Sequence, residues 1–207
     1  MNVKKPVFSY IEFYEWTVQL VNNKQTSGEK QTENLIKFTE LNLSRMKRLN
    51  KTTKLIPELE NLVTELNKPQ VWYVITEAWC GDSAQNLPVI GEIASAGNKI
   101  DLRVILRDQN PDLIEKYHTN GSKSIPKLIA FSKEGVELFT WGPRPQPAHE
   151  LVLDWKENPA GRDFEALEKE LHLKRSRQSL CLFWLPLQLR TKRKTSTRTC
   201  VQSLYCT

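Results

Sequence analysis

At 207 residues with 39% hydrophobic and 26% charged residues, the chain has the composition of a globular protein with one full core, too apolar for a disordered chain and too short to expect a second independent domain. No apolar run approaches the roughly 18–20 residues that span a bilayer, and Glu12 and Glu15 interrupt the start, so no membrane helix and no secretory signal are read and a cytoplasmic location is expected. The net charge of +6 is unevenly placed: residues 1–173 hold 22 Lys and Arg against 24 Asp and Glu, residues 174–207 hold 8 against none, so no nucleic-acid partner is expected for the body.

Ser9-x-x-Glu12 fits a capping box, with Phe8 placed to staple onto Phe13, and opens a first helix whose apolar face is read as Ile11, Tyr14, Val18 and Val21. After the polar loop NNKQTSGEK, a second helix is carried by Leu35, Phe38, Met46 and Leu49. Its end, RMKRLNK, is read as a solvated basic face. LIPELENLVTEL is a third helix, so three helices are expected before any strand. Past Lys68-Pro69 the character changes. VWYVIT (Val71–Thr76) is a buried-strand run that enters WCGDS and then the helical AQNLPVIGEIASAG, closed by Gly97. IDLRVIL (Ile100–Leu106) is a second strand. Asn110-Pro111 caps a helix through PDLIEKYH that Asn120-Gly121 ends. KLIAFS and VELFTW form an antiparallel hairpin about Gly135, and HELVLDWKE and RDFEALEKELHL are helical. The order β-α-β-α-β-β-α after a helical preface implies an α/β fold with a central mixed sheet flanked by helices.

The expected organisation is therefore a helical extension (1–68) packed on a domain (69–173), followed by a basic tail (174–207). The tail has no acid and no helical period. A basic arm and a thiol-bearing regulatory segment are open readings for it, and a disordered or artefactual one, such as out-of-frame translation, is favoured. Cys80 lies in the body and Cys181, Cys200 and Cys206 in the tail, so no disulfide framework is built inside the body.

Chemistry centres on Cys80. A thiol reacts as thiolate, and a helix beginning at AQNL would place Cys80 at its N-terminal end, where unpaired N–H groups favour an anion. Gly81 permits a tight turn and Trp79 can shield one side. Asp82 and Glu77 oppose a thiolate, which leaves the sign of the net effect open. A cysteine that is simply a buried small hydrophobe is the competing reading. Strand, W-C-x-x-S, helix with Pro88 eight residues beyond the cysteine, and Ser124-Ile125-Pro126 opening a hairpin together resemble the thioredoxin family over about residues 71–155. The helical preface resembles a bacterial group of that family with an N-terminal helical extension.

The resemblance implies the thioredoxin fold, a cis Pro126 facing Cys80, and an Ile125 that offers backbone pairing to a bound peptide. Two departures matter. The resolving cysteine of the family's WCGPC box corresponds to Ser83, and the family's buried acid falls on Val74, so a dithiol cycle is excluded. A Cys80 thiolate can still form a mixed disulfide, with Ser83 as a hydrogen-bond donor and release by another thiol. CGDS also approaches the CGFS box of monothiol glutaredoxins, but Trp79, SIP and GPRP do not fit that pattern and no iron–sulfur cluster is expected.

No metal or other cofactor is expected either: His118, His149 and His172 are scattered and read as surface or helix-end residues. Arg103, Arg107 and Asp108 are read as an ordinary solvated charge group, with Arg107 near the active-site loop as the alternative. Trp141 and Trp155 are read as packing residues. The reading is a monothiol thiol–disulfide exchange protein. Its expected catalytic residues are Cys80 and Ser83, its active-site loop Trp79, Gly81 and Asp82, and its substrate-binding residues Ile125 and Pro126. Partners would be protein or low-molecular-weight thiols and disulfides, with no membrane. The alternative is a non-catalytic binding module using the cis-proline groove.

Overall fold

In the computed structural model, residues 3–171 are described apart from 160, 162, 164, 165, 168 and 169. The β-branched and aromatic run Gln70–Thr76 forms β2, paired on both sides: parallel to β3 (Ile100–Leu106), with Gln70 opposite Ile100, and antiparallel to β4 (Lys127–Ser132), with Ile75 opposite Lys127. β5 (Glu137–Trp141) continues the sheet beyond β4, and β1 (Val7–Phe8) lies antiparallel on the outer side of β3, giving the order β1-β3-β2-β4-β5. β1 corrects the expectation that helices precede every strand. Two residues carry no readable period.

Strand alternation divides the core in two. Val74, Val104 and Leu128 face one layer, where α1 (Tyr10–Asn22), α2 (Glu33–Thr52), α3 (Pro57–Thr64) and α4 (Gly81–Ala96) bring Phe13, Met46, Leu59 and Leu87. Their successors Ile75, Ile105 and Ile129 face the other layer, with Leu113 and Ile114 of α5 (Pro111–Lys116) and with Cys80 and Ile125. α6 (Gln146–Glu157) packs Ala148, Leu151 and Val152 against Leu167 and Leu171. This is the mixed sheet with flanking helices that the resemblance implied.

The start of α1 follows its expected short-range signals. Both arms of the capping box are present, Glu12 N–H to Ser9 Oγ at 3.2 Å and Ser9 N–H to Glu12 Oε2 at 2.7 Å, and the Phe8 and Phe13 rings meet edge to face at 6.1 Å. The buried face of α1 differs from the expected one. It is Phe13, Thr17 and Leu20, and Ile11 is 67% exposed. β1 sets this rotation, because Phe8 also stacks on Trp16 at 5.0 Å. On α2 the buried residues are Thr39, Asn42 and Met46, with Phe38 exposed.

α5 stops at Lys116. Asn120 (φ 51°) and Gly121 (φ 75°) instead form a separate turn closed by paired Thr119–Ser122 hydrogen bonds. The helix expected over residues 162–173 lies largely, and the tail 174–207 entirely, outside the described residues. Among the described residues no helix is long and apolar enough to cross a membrane.

Candidate functional site

β2 delivers the chain to the site. After Thr76 the backbone leaves the sheet, Cys80 N–H returns to the Glu77 carbonyl at 3.1 Å, and α4 begins at Gly81 with Cys80 as its N-cap. The thiol makes no capping bond. It donates to the Ile125 carbonyl at 3.4 Å, immediately before Pro126, whose peptide bond is cis. Two stretches 45 residues apart, WCGDS and SIP, thus meet at one sulfur. Ile125 and Pro126 are both buried, and of the Ile125 backbone expected to pair with a peptide, the carbonyl is engaged by the thiol.

The structure supplies the sign that the sequence left open. Burial first, then the Asp82 carboxylate, push the Cys80 thiol up. The Ser83 hydroxyl and the N–H groups of Ser83 and Asp82 act in the opposite direction, as expected of donors at a helix start. Cys80 is 8% exposed, in keeping with burial as the leading cause of that upward push. Ser83 is 2% exposed, and its Oγ has no partner of ordinary hydrogen-bond geometry while the thiol proton points at Ile125.

Asp82 is gripped by Arg144 in a bidentate pair, Nε to Oδ1 at 2.9 Å and Nη2 to Oδ2 at 2.6 Å. Asn86 ties the same segment down, donating to the carbonyls of Asp82 at 2.7 Å and Pro143 at 3.5 Å. Gly142 explains how the chain comes so close: at φ 123° a Cβ would stand 2.1 Å from the Pro126 carbonyl oxygen, so only glycine fits. The GPRP segment therefore lies across both the first turn of α4 and the cis-proline loop. Sequence reading missed Arg144, since nothing local links it to a carboxylate 62 residues away.

Trp79 is half-buried, with the Arg107 guanidinium 4.8 Å above its ring. Arg107 also pairs with Asp108 at 2.8 Å, both side chains partly exposed, as the solvated-pair reading expects, while its guanidinium over Trp79 matches the alternative that places it near the WCGDS loop. Arg103 pairs instead with Asp101 and the Tyr73 hydroxyl. The Asp108 N–H donates to Glu77 Oε1 at 2.9 Å. Glu77 is 1% exposed, and burial pushes its carboxyl up. The expected solvated face of α2 is also corrected at Arg45, whose Nη1 lies 3.2 Å from where a Gly81 Cβ would be. His118 stands 3.7 Å from Glu115, and His149 3.4 Å from Asn120. Among the described residues no three His, Cys, Asp or Glu converge as metal ligands.

A family model described as thioredoxin matches residues 28–158, well over half of the chain, and takes in α2 and α3 as well as the sheet strands after them. No curated protein matches. Among solved structures, the chain is similar to a protein of unknown function from Pseudomonas aeruginosa, with 18% identity, 81% of this chain and 97% of that chain covered, and a TM-score of 0.48. It is also similar to an HIV epitope scaffold, with 17% identity, coverage of 77% and 98%, and the same TM-score.

Proposed function

The chain belongs to the thioredoxin family, and from that premise we propose that it is a monothiol thiol–disulfide exchange protein acting through Cys80. The observation that carries this reading is the junction at the sulfur. Cys80 stands at the N-cap of α4 with its thiol on the Ile125 carbonyl of the cis-proline loop, and the Ser83 hydroxyl and two N–H groups are disposed to hold a thiolate. A cysteine serving only as a small hydrophobe requires none of these.

In the exchange, the Cys80 proton passes to solvent. The thiolate then attacks one sulfur of a disulfide, a Cys80 mixed disulfide forms, and the second sulfur leaves as a thiolate that is reprotonated. Cys80 is oxidised and the departing sulfur reduced. With serine at position 83, release falls to an external thiol, which attacks the mixed disulfide and returns Cys80 to the reduced state. Trp79, Gly81 and Asp82 shape the site, and Ile125 and Pro126 border the approach of the substrate.

Comparing the intact protein with Cys80→Ser in turnover of a model disulfide by a small thiol tests the reading. Loss of the protein-dependent rate in the variant is expected, and an unchanged rate would overturn it. The burial of Cys80, which pushes its thiol up, favours a second reading, a binding module that retains the cis-proline groove. Under that reading Cys80→Ser leaves partner capture intact and neither protein exchanges disulfides.

A further inference from the structure

We propose that Ser27 and Asn42, in the loop before α2 and in α2 itself, are positioning residues for Cys80, holding the depth at which its thiol is buried. They grip both polar groups of one residue of the active-site loop. The Ala78 N–H donates to Ser27 Oγ at 2.8 Å, and the Ala78 carbonyl accepts from Asn42 Nδ2 at 3.0 Å. Ser27 and Asn42 are 2% and 0% exposed. Placing hydroxyl and amide groups in a helix-packed interior is costly unless every partner is met, and apolar residues would satisfy the packing alone. What the polar pair adds is a fixed place for Ala78, two residues before the sulfur.

The grip is itself made rigid. Arg45 Nη1 donates to Asn42 Oδ1 at 3.1 Å, and because a guanidinium only donates, the amide must turn its N–H₂ toward Ala78. The Ser27 hydroxyl also lowers the Glu77 carboxyl against the larger effect of its burial, and Glu77 Oε1 accepts the Asp108 N–H at 2.9 Å. The loop carrying Ser27 is closed by Gln31, which accepts from the Thr26 N–H and donates to the carbonyls of Thr26 and Gly28, and by a 2.6 Å contact between the hydroxyls of Thr26 and Thr39. From Ala78 the chain reaches Cys80 through Trp79 alone. Fixing the Ala78 peptide groups therefore limits how far the thiol can swing from the Ile125 carbonyl.

The inference deepens the exchange reading but is tested without it. In the full chain, alkylation of Cys80 is followed against pH by mass spectrometry of the Cys80 peptide, for the parent, Ser27→Ala, Ser27→Thr and Asn42→Leu. Releasing the grip should expose the thiol, so Ser27→Ala and Asn42→Leu should move the pH midpoint down toward the free-thiol value of about 8.5 and raise the rate at neutral pH by about tenfold. Ser27→Thr, which keeps the oxygen, should follow the parent.

Repeating the measurement in low urea separates local release from unfolding, since only unfolding gives a rate that climbs steeply with denaturant. Parent-like midpoints in both variants would overturn the proposal, as would a Ser27→Thr change equal to that of Ser27→Ala, or a rate gain that proceeds only through unfolding. A shifted midpoint in a protein that exchanges no disulfide would sustain the positioning role and remove the exchange reading. The reverse result would do the opposite.

Discussion

At the scale of single residues, the charge balance around Cys80 is set by the pair Asp82–Arg144. Asp82 pushes the thiol up and Arg144 binds both of its carboxylate oxygens, so the two should act oppositely on reactivity. Asp82→Asn is expected to lower the pH midpoint of Cys80 modification, and Arg144→Gln, which removes the bidentate pair, to raise it. Site-resolved alkylation reads both, and shifts of the same sign would contradict this account.

Glu77 offers a stability test. Its folded pKa is raised, so the folded state holds a proton that the unfolded chain releases once pH passes the ordinary value of 4.5. Stability from this group is present below that value and is lost as pH rises through the raised one. Glu77→Gln should therefore melt above the parent at about pH 8 and lose that advantage in acid, as followed by thermal melts across the range. Cys80, Ser83, Ile125 and Pro126 were legible in the sequence because each sits in a short motif. Ser27, Asn42, Arg45 and Arg144 were not, because their partners lie 36 to 62 residues away or, for Arg45, act through Asn42.

At the scale of elements, strands were easier to read than helix faces. β2 and β3 are buried runs whose β-branched composition suffices, and the hairpin turn is marked by Gly135. The α1 face was misread because a helix with aromatics on several sides has more than one plausible stripe, and β1 chose between them through Phe8 on Phe13 and Trp16. Phe13, 1% exposed, should then carry most of the packing. Phe13→Ala is expected to cost about 3–5 kcal/mol and Ile11→Ala well under 1 kcal/mol in denaturant unfolding. Comparable losses would restore the original face. On α2 the buried Thr39 and Asn42 break the apolar period, because those positions meet polar partners in the loop before α2 and at Ala78 in the turn before α4.

For the whole molecule, the helices before β2 do more than cover the sheet. Together with Ser27 in the loop before α2, Asn42 of α2 hydrogen-bonds Ala78 in the turn before α4, so fold and candidate site are completed by segments far apart in the chain. The GPRP segment closes over the same loop from the opposite end of the sequence. The measurement that tests the central claim most directly is formation of a Cys80 mixed disulfide in the intact chain as a function of pH, using a small disulfide and mass spectrometry of the Cys80 peptide. The account predicts a mixed disulfide at Cys80 whose rate of formation rises through a midpoint above the free-thiol value of about 8.5. No mixed disulfide at Cys80 at any pH where the fold persists would contradict it.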